Sequence, residues 1–198
     1  MGRPVANHSK LSSKSNSHDE IIYAAALPSG PDSRLVVLHG EVNESSICNV
    51  IVQLLQLANQ NHKPIHLVIS TYGGSVDEMF SLYDTIKFLP CPVHTIALGK
   101  VMSAGVLLLA SGVKGKRMIG KSARIMIHPI SGGVIGNVFE AMNEMKEFER
   151  LQDLMTSALL SETKMKKEEI DNLMKSGHDC FLTPEQAISM GIVDKIIG

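Results

Sequence analysis

Four features of the chain could contribute to one chemical step: a serine among small residues, a histidine closing an apolar run, an acid and a pair of glycines. Ser103 stands in Gly99-Lys-Val-Met-Ser-Ala-Gly105, where Ala104 and Gly105 leave room for a substrate carbonyl. A serine hydroxyl is a weak nucleophile near neutral pH and needs a base to take its proton. Of the eight histidines, His128 stands out because it ends the apolar run RIMIH at 124–128, where a polar ring is costly without partners. Each also has a plainer reading. Ser103 would serve as the N-cap of the next helix, and His128 as a core-edge ring satisfied by backbone.

A base needs an orienting group, and eight Asp and twelve Glu are available, so spacing does not choose among them. Asp179, in His178-Asp-Cys-Phe-Leu182, lies beside a short apolar stretch; its plainer reading is an exposed turn acid. Gly73-Gly74 permits close backbone approach, with an N–H free to face a developing oxyanion. The plainer reading there is an ordinary turn. Phosphate binding is disfavoured, since neither G-x-G-x-x-G nor G-x-x-x-x-G-K-[ST] occurs. Val101 stands where G-x-S-x-G would begin, which argues against an α/β-hydrolase elbow.

The elements that would position these groups alternate. Apolar runs at 35–39 (LVVLH), 65–70 (IHLVIS), 93–98 (VHTIAL) and 124–128 suit buried strands, and IVDKII at 192–197 suits a last one. Between them, Ile47, Val50, Ile51, Leu54, Leu55 and Ala58 fall on one helix face. TYGGS at 71–75 reads as a loop, followed by a helix from Val76 to about Phe88 that Pro90 and Pro92 close. Residues 103–110 read as a buried helix. Val138, Ala141, Met142, Met145, Phe148, Leu151, Met155 and Leu159 mark one long helix, about 137–163, whose Met-rich face packs on the core or on a partner subunit. Thr183-Pro-Glu-Gln186 is a capped helix start, ended by Gly191. Strand–helix alternation with crossover-length connections gives an α/β fold with a mainly parallel sheet. In such sheets, sites form beyond the carboxyl ends of strands, and Gly73-Gly74, Ser103 and His128 each sit at such an end.

Composition excludes other classes. The 198 residues carry 19 basic against 20 acidic side chains, so no electrostatic footprint for nucleic acid is present. No apolar run approaches a membrane span. Three widely spaced cysteines without CxxC argue against a disulfide framework or zinc site and fit a reducing compartment. Residues 1–19, with five serines and no acid before Asp19, read as a flexible polar tail, with a propeptide or organelle-targeting segment as the sharper reading. Residues 20–198 read as a single domain.

The chain resembles the proteolytic subunits of Clp protease (ClpP), in the ClpP/crotonase superfamily. The resemblance runs from about Arg34 to the C-terminus. It rests on YGGSV at 72–76, LYDTIKFL at 82–89, GKVMSAGVLLLASGVKGKR at 99–117, RIMIHPISGG at 124–133 and FLTPEQAISMGIVDKI at 181–196, in that order. It implies a ClpP/crotonase-like fold in which the 137–163 helix is a handle joining rings. It implies a serine endopeptidase with Ser103 as nucleophile, His128 as general base and Asp179 as third member of the triad. The backbone N–H groups of Gly74 and Ala104 become the oxyanion hole. Ile130, Ser131 and Gly132 belong to the stretch that pairs with the substrate backbone. No metal or organic cofactor is implied.

The resemblance also implies two stacked seven-membered rings fed with unfolded polypeptide by an AAA+ unfoldase, in the cytoplasm or, if residues 1–19 are a targeting segment, in an organelle matrix or stroma. The chain departs from the family pattern in several places. Ser70-Thr-Tyr-Gly-Gly74 replaces Asn-Ser-Pro-Gly-Gly, and Pro129 follows His128 directly. Gly177 and His178 stand where an acidic–basic pair senses ring stacking, and His66 and Val68 stand where aromatics line the unfoldase pocket. The alternative from a non-enzyme class is a structural or modulatory subunit of a mixed ring; such subunits typically lack a triad member, and all three are present here. A crotonase-type acyl-CoA enzyme would not need the three together. A signal-peptide-peptidase-like enzyme would need a membrane anchor.

Overall fold

The computed structural model describes residues 33–175 and 177–198; the polar segment expected at 1–19 and the start of the domain at 20 lie outside them. The described residues form seven strands and six helices. The strands are β1 (Leu35–Val42), β2 (Ile65–Gly74), β3 (Val93–Met102), β4 (Met118–Gly120), β5 (Arg124–Ile127), β6 (Cys180–Leu182) and β7 (Lys195–Ile197). The helices are α1 (Glu44–Gln60), α2 (Val76–Phe88), α3 (Ala104–Ala110), α4 (Val138–Glu162), α5 (Lys167–Lys175) and α6 (Pro184–Ser189).

The sheet runs β1-β2-β3-β4-β7 with every neighbouring pair parallel. β3 forks. Its Ile96 and Ala97 pair with β4, while Lys100–Met102 pair with β5. β5 in turn carries β6 on its far side, antiparallel. This fork brings the carboxyl ends of β2, β3 and β5 together, and it positions the candidate site.

Local sequence explains most boundaries. Asn43 caps α1 through a capping box with Ser46, and Asn137 caps α4 through one with Glu140. Thr183 and Gln186 do the same for α6, with Pro184 at its first position. Ser75 accepts the Glu78 N–H at the start of α2, which ends at Phe88 before Pro90. α3 is buried at all seven residues, as expected of a helix apolar on every side.

Four expectations need correction. Thr71–Gly74 is not a loop: β2 continues through it, Gly73 pairing with Glu41 and Gly74 with Val42 after a bulge. β3 likewise runs on to Met102. On α1 the buried stripe is Ile47, Val50, Leu54 and Ala58, whereas Leu55 is 44% exposed. The stripe of α4 divides, Met155 and Leu159 entering the core while Val138, Met142 and Met145 face outward. No helix among the described residues is long and apolar enough to cross a membrane.

Candidate active site

Ser103 follows the last residue of β3 and precedes α3. It is the one non-glycine among the described residues with a positive φ, 53° with ψ −123°, a conformation that costs an L-residue about 1–3 kcal/mol. Backbone bonds on both sides hold it there. Its N–H donates to the Met126 carbonyl at 2.8 Å, extending the β3–β5 ladder by one step, and its carbonyl accepts the Val106 N–H at 2.9 Å. Ser103 does occupy the N-cap position of α3, but its side chain makes no cap hydrogen bond to the helix. The hydroxyl Oγ instead lies 2.7 Å from His128 Nε2.

His128 directly follows β5, so two adjacent parallel strands deliver the two groups at their carboxyl ends. Gly74, Ser103, Ala104, His128, Ile130 and Ser131 share the walls of one cavity of about 40 Å³, room for a water molecule and little more. Gly73 supports this wall from behind. Its N–H is held by the buried Thr71 hydroxyl at 2.9 Å, and its φ of 102° belongs to glycine. Gly132 lies outside the cavity, against the Phe148 ring of α4, where any side chain at 132 would meet that ring at 2.7 Å.

Asp179 is not bonded to His128. It is exposed, and among the described residues the His128 ring's hydrogen bond is the one to Ser103. The register nevertheless aims at it: Ile127 pairs with Cys180 across the antiparallel β5–β6 ladder. One further step sets His128 opposite Asp179.

Sequence reasoning gave no role in the site to two residues of α4. Met155 of α4 reaches into the same cavity, and Gln152, one turn earlier, accepts the Ile130 N–H at 2.9 Å. Met155 stood on the helical stripe of α4, but the contact of α4 with the segment after His128 is tertiary and leaves no local signal. Among the described residues no group of three or more His, Cys, Asp or Glu is placed to hold a metal ion.

The Clp protease family model matches residues 21–198. The chain is 34% identical over 167 residues to the ATP-dependent Clp protease proteolytic subunit 1 of Rhodopirellula baltica, a match covering 84% of this chain and 73% of that one. The mainly parallel α/β sheet agrees with that match. The chain therefore belongs to the Clp protease family, as a proteolytic subunit of the ClpP type.

Proposed function

We propose that the chain is a serine endopeptidase subunit acting through Ser103, His128 and Asp179. The observation that carries this reading is the 2.7 Å approach of Ser103 Oγ to His128 Nε2, within the range a nucleophile–base pair needs. His128 Nε2 takes the hydroxyl proton as Oγ bonds to the scissile carbonyl carbon. The carbonyl oxygen becomes an oxyanion, met by the N–H groups of Gly74 and Ala104. The Ala104 N–H opens α3 and has no intrahelical acceptor. Collapse breaks the C–N bond and His128 returns the proton to the leaving amine. Water, activated by the same base, then frees the acyl group. Asp179, opposite His128 by register, holds the ring's tautomer and stabilises its charged form; its side chain is exposed and must turn towards His128 for that bond to form.

The rest follows the family. Residues 20–198 form the peptidase domain and residues 1–19 a tail or propeptide. The subunit works in two stacked seven-membered rings, taking unfolded polypeptide from an AAA+ unfoldase in the cytoplasm or an organelle matrix. Ser131 and its neighbours pair with the substrate backbone as an added strand.

The test is hydrolysis of a short fluorogenic peptide by wild type and Ser103→Ala, with native mass read in the same buffer. Wild type should turn over as a ring-sized assembly, and the variant should lose about 10⁵–10⁶-fold in kcat. An assembled wild type no faster than Ser103→Ala would overturn the reading and favour a modulatory subunit.

A further inference from the structure

Residues 128–136, between β5 and α4, belong to no helix or strand, so no ladder fixes their direction. Contacts to α4 fix it instead. The Ile130 N–H donates to Gln152 Oε1 at 2.9 Å, and Gly132 rests on the Phe148 ring one turn away along the same helix. Ile130 borders both the Ser103–His128 cavity and a neighbouring open cleft of about 430 Å³ that Gln152 and Phe148 also line.

The carboxamide is held one way round. A backbone N–H donates only to the oxygen end, so the nitrogen must point away, and Gln152 Nε2 is buried with no hydrogen-bond partner among the described residues. An unpaired buried donor opposes folding. A methionine would fill the same space without that penalty, so the amide is not explained by packing.

Along an extended chain, successive residues turn their N–H and C=O groups to opposite sides. In an extended segment, an Ile130 N–H tied towards α4 would turn the backbone groups of Ser131 the other way, towards the cavity that Ser131 lines. We propose that Gln152 is a positioning residue: by holding Ile130 it sets the register in which Ser131 presents its backbone to the peptide. The inference rests on the peptidase reading above. It also divides the expected substrate stretch, giving Ser131 the pairing role and Ile130 and Gly132 the anchoring one.

The experiment compares wild type with Gln152→Met, which removes the acceptor at similar length, and Gln152→Glu, which keeps it. For each, kcat and KM are measured on a peptide spanning both sides of the scissile bond. Labelling of Ser103 by a small fluorophosphonate, which needs the serine and histidine but no strand pairing, is followed in parallel. Gln152→Met should raise KM about tenfold, the worth of one hydrogen bond, with kcat and labelling within about twofold of wild type. Gln152→Glu should restore KM to within about threefold. An unchanged KM in Gln152→Met, equal impairment in both variants, or labelling that falls in step with peptide turnover would each overturn the positioning role. A wild type that neither labels nor cleaves would overturn the peptidase reading itself, and this inference with it.

Discussion

Gly73 stands directly against Ser103: a methyl group on its Cα would lie 2.6 Å from Ser103 Cβ and 3.1 Å from Oγ. Ser103 is thus held between the β5 ladder in front and a bare glycine backbone behind. Gly73→Ala must push the serine aside or relax the φ of 102°. Because misplacing a reacting group by about 1 Å costs on the order of 10²-fold in rate, kcat should fall by about that factor. Folding should be retained, seen as a thermal transition within a few degrees of wild type. Wild-type kcat in Gly73→Ala would show that Ser103 has more freedom than its backbone bonds allow.

Arg117 and Asp194 tie the far edge of the sheet to the helices. The guanidinium, 2% exposed, donates to both Asp194 oxygens at 2.7 and 2.9 Å and to the carbonyls of Ala110 and Glu162. Burial pushes the Asp194 carboxyl up, but hydrogen bonds from Arg117 and from the Gly115 backbone outweigh it and hold it below 3.8. Its stabilisation is therefore full above that value and lost as pH falls through the folded one. Asp194→Ala leaves a buried cation unpaired, at about 3–5 kcal/mol. Calorimetry should show Tm lowered by on the order of 10 °C; a shift under 2 °C would mean that water replaces the carboxylate.

His66 and His94 sit opposite each other on β2 and β3, with ring centroids 5.1 Å apart and planes perpendicular. Burial lowers both pKa values from 6.5, and for His94 the His66 and Lys116 charges lower it further. The unfolded chain then takes up protons near pH 6.5 while the folded chain does not, so stability is full above that pH and falls as acid is added. Tm should drop between pH 7.5 and 5.5. Among the described residues His66 Nδ1 has no hydrogen-bond partner, so His66→Phe loses no hydrogen bond there and should flatten the profile. An equally steep profile in that variant would assign the acid sensitivity elsewhere.

What the sequence made legible follows from where its signals are local. His128 ends an apolar run and Ser103 follows one, so their shared address at strand ends could be read before any coordinates. Asp179 could not be chosen by spacing; family resemblance supplied it, and the Ile127–Cys180 pairing alone gives it a geometric reason. Thr71–Gly74 looked like a loop because glycine is a poor strand former, yet pairing with Glu41 and Val42 carries it into β2. The three residues of β4 are defined only by their partners, and the charged sequence of α5 hides a short stripe of Ile170 and Met174. Neither element was expected.

The α4 stripe gives the last prediction. Its periodicity is continuous, but only its carboxyl-terminal part has a core to enter: Met155 is 4% exposed and Leu159 fully buried, against 71% for Val138, 55% for Met142 and 53% for Met145. Phe139 beside them is 78% exposed. An apolar surface of this kind marks a contact with another chain, and stacked rings would cover it by pairing these helices. Introducing charge there leaves the core half of the helix untouched, so Met142→Glu with Met145→Glu should keep the monomer's Tm within a few degrees. If the surface lies between rings, native mass by light scattering should fall by about half, to a single ring, because burying unpaired carboxylates costs more than the contact returns. A double variant that keeps the wild-type mass would place the ring-to-ring contact elsewhere and leave this half of α4 to a different partner.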